Sequence, residues 1–217
     1  MSTFWSVIIL AVIQGATEFL PVSSSGHLVL GGRLAGLPPA EGTLEVVLHL
    51  GTLAAVLLFF RRRLGRLLAD AAAGRGEGRR WLLALVLGSI PAGLAGGLLK
   101  DFFEAQFTNL VGTGCWLLVT GLGLALFGGP PRHPRRGAPR AGQALLVGLA
   151  QALAILPGIS RSGATIVAGM RAGLDRRRAG ELSFFLAIPA ILGAGALKVG
   201  ELGGTPYSLT HLAAGAL

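Results

Sequence analysis

Cysteine and charge are both scarce in this chain. Cys115 is the single cysteine among 217 residues, so no internal disulfide can form, and its place inside an apolar window reads as that of a small packing residue. Charged residues make up 13% of the chain and hydrophobic residues 52%, with a mean hydropathy of +0.67. That balance is too apolar for an ordinary soluble surface. The N-terminus lacks the basic n-region of a signal peptide, and its apolar run leads into Gln14 and Glu18 instead of a cleavage site, so it reads as mature sequence. No spacing of His, Cys, Asp and Glu resembles a zinc site.

What is present is long apolar sequence. Leu44 to Phe60, Trp81 to Leu99, Leu110 to Phe127 and Glu181 to Val199 each approach the roughly 20 residues that a helix needs to cross a bilayer core. One multi-pass, all-α integral membrane domain, 1–217, is the economical reading. The formal charge of +9 could suggest nucleic acid, but the arginines are clustered between apolar windows. Seven lie between Arg61 and Arg80 and four between Arg132 and Arg140, and a third cluster holds Arg171, Arg176, Arg177 and Arg178. This is the positive-inside pattern of cytoplasmic loops. The intervening loops are neutral or acidic and are expected outside: Arg33 against Glu41 and Glu45, Lys100 against Asp101 and Glu104, Lys198 against Glu201.

Threading the chain through these sides constrains the rest. The segment from Gln143 to Met170 begins and ends beside arginine-rich loops, yet its 28 residues fall short of the roughly 40 that two crossings need. It must enter and return, turning at PGISRSG, where proline and glycine break a helix. Phe4 to Leu30 is expected to do the same from the other side, turning at PVSSSG. The stretches QGATEFLPVSSSG and QALAILPGISRSG also look alike, each running from Gln to Gly with a central proline and a terminal serine pair. They predict an inverted-topology repeat: repeat one about 1–128, a cytoplasmic Arg-rich loop 129–141, and repeat two about 142–217. Broken helices of such repeats build sites near the bilayer midplane.

At those tips, helix N-termini with unpaired N–H groups attract anions. Glycine and serine in membrane helices also serve plain packing, so Ser23, Ser24, Ser25, Ser160 and Ser162 carry both readings. Glu18 and Arg161 are harder to explain by packing, because a charge at mid-membrane costs roughly 2.5 to 3.5 kcal/mol on insertion scales. Gln14 and Glu18 share a helix face. His27, after three serines and a glycine, is a candidate acid, base or nucleophile. His49, His133 and His211 read as structural or loop residues.

QGATEFLPVSSSGH and PGISRSGAT resemble the two signatures of the bacitracin-resistance family of undecaprenyl-diphosphate phosphatases. HLGTLAAVLLFFRR, SIPAGLAGGLLKDFFE and ELSFFLAIPAILGAGALK extend the resemblance over almost the whole chain. It implies a cell-membrane hydrolase that converts undecaprenyl diphosphate to undecaprenyl phosphate and phosphate. Such an enzyme recycles the carrier lipid for peptidoglycan and cell-wall synthesis and confers bacitracin resistance. The site would be reached from the outer side of the bacterial cytoplasmic membrane. By the same resemblance Glu18, Ser24, His27 and Arg161 are catalytic. Gln14, Ser23, Ser25, Gly26, Ser160, Arg161, Ser162, Gly163 and Thr165 hold the phosphates. Ser24 attacks with His27 as base, or His27 attacks directly, or one of them activates water. Expected partners are the diphosphate lipid and bilayer lipids, with no nucleic acid and a homo-oligomer left open. No cofactor is fixed; a divalent cation, Mg²⁺ or Ca²⁺, is left open. Relative to the family, repeat two is expected to be short at its C-terminal end by about two helices, on the order of 40 residues. The alternative function is a transporter or flippase of an anionic or lipid-linked substrate, whose architecture also uses inverted repeats.

The arginine asymmetry yields a topology test. Cysteines introduced at Glu41 or Glu104 should react with an impermeant thiol reagent from outside, and cysteines at Arg75 or Arg136 should not. Labelling in the opposite sense reverses the assigned orientation.

Overall fold

The computed structural model describes residues 3–37, 43–131, 134–198 and 215. Glu41, Arg132, His133, Glu201, His211 and the apolar stretch ending at Leu217 lie outside the described residues. Among the described residues the chain is helical apart from one isolated bridge between Arg135 and Leu174. In chain order the helices are α1 (Thr3–Thr17), α2 (Ser24–Leu34), α3 (Thr43–Ala72), α4 (Gly76–Leu98), α5 (Lys100–Gln106), α6 (Leu110–Phe127), α7 (Ala141–Leu153), α8 (Arg161–Arg171) and α9 (Arg176–Lys198).

Four of these are long and apolar enough to cross a membrane: Leu44–Ala72, Gly76–Leu98, Leu110–Phe127 and Arg176–Leu197. They coincide with the four apolar windows, and the protein is a multi-pass membrane protein. On α6 only Thr113 is buried, while Val111 and Leu118 are exposed; in a bilayer that surface meets lipid. The arginine-rich stretch from Arg61 to Arg80 is not an extended loop. α3 runs on through it to Ala72 and α4 starts at Gly76. Arg and Leu are good helix formers, and Leu64 and Leu67 keep that extension packed on the core. The short helix α5 was not foreseen.

The two remaining helix pairs are interrupted at the signatures. α1 and α2 have 15 and 11 residues, and α7 and α8 have 13 and 11, all short of a crossing length. Each break contains a proline, Pro21 or Pro157, and α1 packs on α2 as α7 packs on α8. Gln143 Nε2, in the first turn of α7, donates to Ala172 O at the end of α8 at 2.8 Å. The entry and exit of this helical hairpin therefore lie side by side.

The core joins α4, α7 and α9 around Trp81, Phe185, Leu182, Leu186, Ala144 and Val147. Above it the three basic clusters meet. Arg63 and Arg178 each place a guanidinium 5.8 Å from the Trp81 ring centroid. Arg178 also bonds Glu181 at 2.9 Å and Arg136 O at 2.9 Å. Stacking on an indole face and carboxylate pairing let like charges share one end of the bundle.

Helices α4 and α7 approach closely through glycine. A Cβ built on Gly148 would stand 2.3 Å from Gly88 O, a contact that only backbone displacement relieves. Gly148→Ala should therefore destabilise the protein by about 1–3 kcal/mol, the usual cost of overpacking. The measurement is thermal unfolding in detergent, with an expected drop of about 2–4 °C per kcal/mol for a chain of this size. An unchanged midpoint would show that this contact is slack.

Candidate active site

The breaks of the two hairpins touch. Ser162 Oγ donates to Leu20 O at 2.9 Å, and a Cβ on Gly163 would lie 3.2 Å from Pro21 Cβ. The second break is shaped by Gly158, at φ 101°, where a side chain would collide with Thr113 O at 2.4 Å. Only glycine tolerates both constraints. Thr120 of α6 fastens this break, donating to Gly158 O at 2.8 Å and accepting from Ser160 N at 3.0 Å. In the first break Ser23 sits at φ 62°, a left-handed conformation that a non-glycine residue adopts at a cost of roughly 1–3 kcal/mol. Ser23 Oγ then caps α2 by accepting from Gly26 N at 3.2 Å, and Ser160 Oγ caps α8 by accepting from Gly163 N at 3.1 Å.

Glu18 lies at the junction and is 4% exposed. Its Oε1 is paired with Nη2 of Arg161, 143 residues away. Its Oε2 accepts from Ser24 Oγ at 2.6 Å and from Gln14 Nε2 at 3.2 Å, and faces His49 Nε2 at 2.9 Å. Gln14 Nε2 also reaches Thr52 Oγ1 at 3.3 Å. Both signatures and α3 thus converge on one carboxylate. Among the described residues Arg161 is bonded through Nη2 alone, and the guanidinium carries five N–H donors in all.

A cavity of about 680 Å³ opens onto this group, lined by Glu18, Ser23, Ser24, Ser25, Ser160, Arg161 and Ser162 at its polar end. Its remaining wall is largely apolar, drawn from α4, α5 and α9, with Gly93, Gly96, Phe103, Ile191 and Leu197 among its residues. Lys100 and Glu104 also border it, whereas among the described residues none of the arginines from Arg61 to Arg80, or from Arg135 to Arg140, does.

Several sequence expectations are redistributed. Thr165 is fully buried, donates to Arg161 O at 2.6 Å and shares a hydrogen bond with Ser183 at 2.7 Å; it braces the base of α8 instead of facing the cavity. Gly26 and Gly163 are packing positions between the breaks. Gln14 is buried and holds Glu18, away from the cavity lining. His27 is exposed and outside that lining. Its Nδ1 bonds Ser23 O at 2.8 Å, which folds the ring back on α2 and leaves Nε2 without a partner among the described residues.

His49 and Glu45 are the residues that sequence reasoning missed. His49 is neither structural filler nor a loop residue: it lines the cavity beside Glu18. Glu45 lines it too, with Oε2 buried and unpartnered among the described residues. The available signal was their spacing with Thr52, i, i+4 and i+7 on one face of an apolar helix, where a polar stripe is costly. Among the described residues no group of three His, Cys, Asp or Glu side chains converges as a cation site, and both Glu18 oxygens are engaged.

A polytopic membrane protein whose interrupted helices join a serine, a carboxylate and an arginine at the polar end of an apolar cavity is built to handle an anionic group on a lipid. A family model described as "Bacitracin resistance protein BacA" matches residues 7–216. The chain is 44% identical over 197 residues to an undecaprenyl-diphosphatase of Rhodopirellula baltica, covering 90% of this chain and 74% of that protein. It is 42% identical over 214 residues to one of Desulforapulum autotrophicum, covering 89% and 76%. For one of Thermobifida fusca the identity is 39% over 212 residues, covering 93% and 72%. The chain belongs to the BacA family.

Gln14 and Gln151 occupy the same place in the two signatures but differ in surroundings. Gln151 is 3% exposed, and neither Nε2 nor Oε1 has a partner among the described residues. An unsatisfied buried amide costs about 1–3 kcal/mol. Gln151→Leu should therefore raise the unfolding midpoint in detergent by about 2–4 °C or more, and Gln14→Leu should lower it by leaving Glu18 and Thr52 short of a donor. Equal effects of the two substitutions would refute this contrast.

Proposed function

We propose that this protein hydrolyses undecaprenyl diphosphate to undecaprenyl phosphate and inorganic phosphate, recycling the carrier lipid for cell-wall synthesis and conferring bacitracin resistance. The observation that carries the chemistry is the single carboxylate, Glu18, hydrogen-bonded to Ser24 Oγ at 2.6 Å and paired with Arg161. Family membership and the undecaprenyl-diphosphatases it resembles supply the substrate.

In this mechanism Arg161, Ser160, Ser162 and the serines at the start of α2 receive the diphosphate, and the prenyl chain lies along the apolar wall. The guanidinium fork suits phosphate oxygens. Ser24 Oγ attacks the terminal phosphorus and gives its proton to Glu18 Oε2. The bond from that phosphorus to the bridging oxygen breaks, and undecaprenyl phosphate departs with the electron pair. Water then cleaves the phosphoserine, releasing phosphate and restoring Ser24. Phosphoryl transfer depends mainly on positioning and charge stabilisation, which this cluster is arranged to give. Ser24 is preferred to His27 as nucleophile because it already holds a hydrogen bond to a base, whereas the His27 ring is turned to Ser23 O. His27, exposed and outside the cavity lining, is assigned no step beyond proton exchange with solvent through Nε2.

The same reading takes the α1–α2 and α7–α8 hairpins as re-entrant, entering from opposite sides as halves of an inverted repeat. Irregular backbone at membrane depth is stable where it is buried in protein or lines a cavity; here Leu156, Pro157 and Gly158 of the second break are buried, and Ser23 and Ser24 of the first line the cavity. The protein is placed in the bacterial cytoplasmic membrane with the cavity outward. Support for that orientation comes from Lys100 and Glu104 at the cavity, opposite the arginine-rich end.

The test is phosphate release from undecaprenyl diphosphate by purified protein, with and without Mg²⁺ or Ca²⁺. Ser24→Ala and Glu18→Gln should each lose at least about a hundredfold, within the range of a removed nucleophile or base. Arg161→Lys should lose roughly ten- to a hundredfold, because a point donor replaces the fork; a charge-assisted bond is worth about 1.5–3 kcal/mol and 1.4 kcal/mol is about tenfold. Binding without release under any condition would favour a transporter.

A further inference from the structure

We propose that His49, outside both signatures, is a positioning residue of this reaction: it holds the base oxygen of Glu18 in register with Ser24. The inference rests on the hydrolytic reading above and adds a third element, α3, to the chemistry.

The geometry fixes the ring. His49 Nδ1 lies 2.6 Å from Glu45 O, one turn earlier in α3. A carbonyl oxygen can only accept, so Nδ1 carries the hydrogen and donates. The other nitrogen, Nε2, is then directed at Glu18 Oε2 at 2.9 Å. A carboxylate oxygen facing the bare lone pair of Nε2 would be repelled, so a proton lies on the line between them. This is the arrangement by which a backbone carbonyl on one ring nitrogen sets the role of the other.

The oxygen that His49 holds is the one that Ser24 uses. Ser24 Oγ, Gln14 Nε2 and His49 Nε2 all meet at Oε2, while Arg161 takes Oε1. When phosphate engages the remaining donors of Arg161 during turnover, the guanidinium divides its charge between phosphate and Glu18, which loosens the Oε1 side. His49 is anchored independently of the substrate. Its carbonyl accepts from Thr52 Oγ1 at 2.9 Å, and Thr52 Oγ1 in turn accepts from Gln14. The carboxyl plane thus keeps a fixed partner while the arginine exchanges one. Without His49, Glu18 could rotate with Arg161 toward the incoming phosphate and lose its alignment on Ser24. A misplacement of about 1 Å at a reacting group can cost on the order of a hundredfold.

The experiment compares His49→Ala, His49→Gln, Glu18→Gln, and the double variant His49→Ala with Glu18→Gln, in full-length protein with undecaprenyl diphosphate. His49→Ala should lower kcat by about ten- to a hundredfold with KM changed by less than about threefold. His49→Gln, whose amide can still donate to Oε2, should recover most of that loss. Added imidazole should partly restore His49→Ala. In the Glu18→Gln background, His49→Ala should have no further effect, since the two act as a unit. A purely structural histidine would instead change the unfolding midpoint, without imidazole rescue and with additive losses. If Glu18→Gln and Ser24→Ala abolish turnover while His49→Ala and His49→Gln keep wild-type kcat, this inference fails and the hydrolytic reading stands. If Glu18→Gln and Ser24→Ala themselves remain active, the hydrolytic reading of the site has failed.

Discussion

Glu18 is a carboxylate taken almost wholly out of water in an apolar chain, and the arrangement of the protein follows from satisfying it. A buried charge is tolerated only when donors surround it. Here they come from three places: Gln14 and Ser24 on either side of the first break, Arg161 at the start of α8, and His49 on α3. No single helix could present donors to both carboxyl oxygens from these directions. The first hairpin, the second hairpin and α3 must therefore be packed together before Glu18 is paid for, and conversely Glu18 and Arg161 fix how they meet.

That demand explains why both hairpins break where they do. A continuous helix spends its amides on its own carbonyls and offers no free N-terminus at mid-depth. Interrupting it at Pro21 and at Pro157 creates two helix starts, each capped by its own serine. The breaks are irregular backbone held by specific contacts: Ser162 on Leu20 O, Gly163 against Pro21, and Thr120 of α6 bridging Gly158 and Ser160. Small residues at Gly26 and Gly158 let the two tips come within contact. Ser24 and Arg161 are thereby held by backbone on both sides, which suits the proposed chemistry, since it depends on position.

Charge organises the molecule at its other end as well. Arginines from α3, α9 and the segment before α7 gather around Trp81 with Glu77 and Glu181 between them. Stacking and pairing make this crowd stable, and Arg63, Arg136 and Arg178 do not line the cavity. The apolar wall of the cavity, built from α4, α5 and α9, then lies between a polar floor and lipid, as a substrate with a charged head and a prenyl tail requires.

The sequence by itself determined the main elements, though not α5 or the helical continuation of α3 to Ala72. Apolar runs of crossing length, prolines beside paired serines, and arginines grouped at alternate ends are local patterns, and the four spans, both breaks and the common basic end follow from them. It also singled out Glu18 and Arg161, because charge inside apolar sequence is costly wherever it packs, whereas Ser24 stood out from the other serines only through the family resemblance. The tertiary structure alone decided which groups meet. His27 and His49 are both histidines near polar company, yet the first folds onto Ser23 O and the second faces Glu18. Thr165 sits in the second signature and turns to Ser183; Gln14 and Gln151 match in sequence, and only one finds partners. These outcomes depend on the rotation of each helix about its axis and on contacts across gaps as long as the 143 residues between Glu18 and Arg161. Such contacts are fixed by packing against other helices, which no periodicity within one segment encodes.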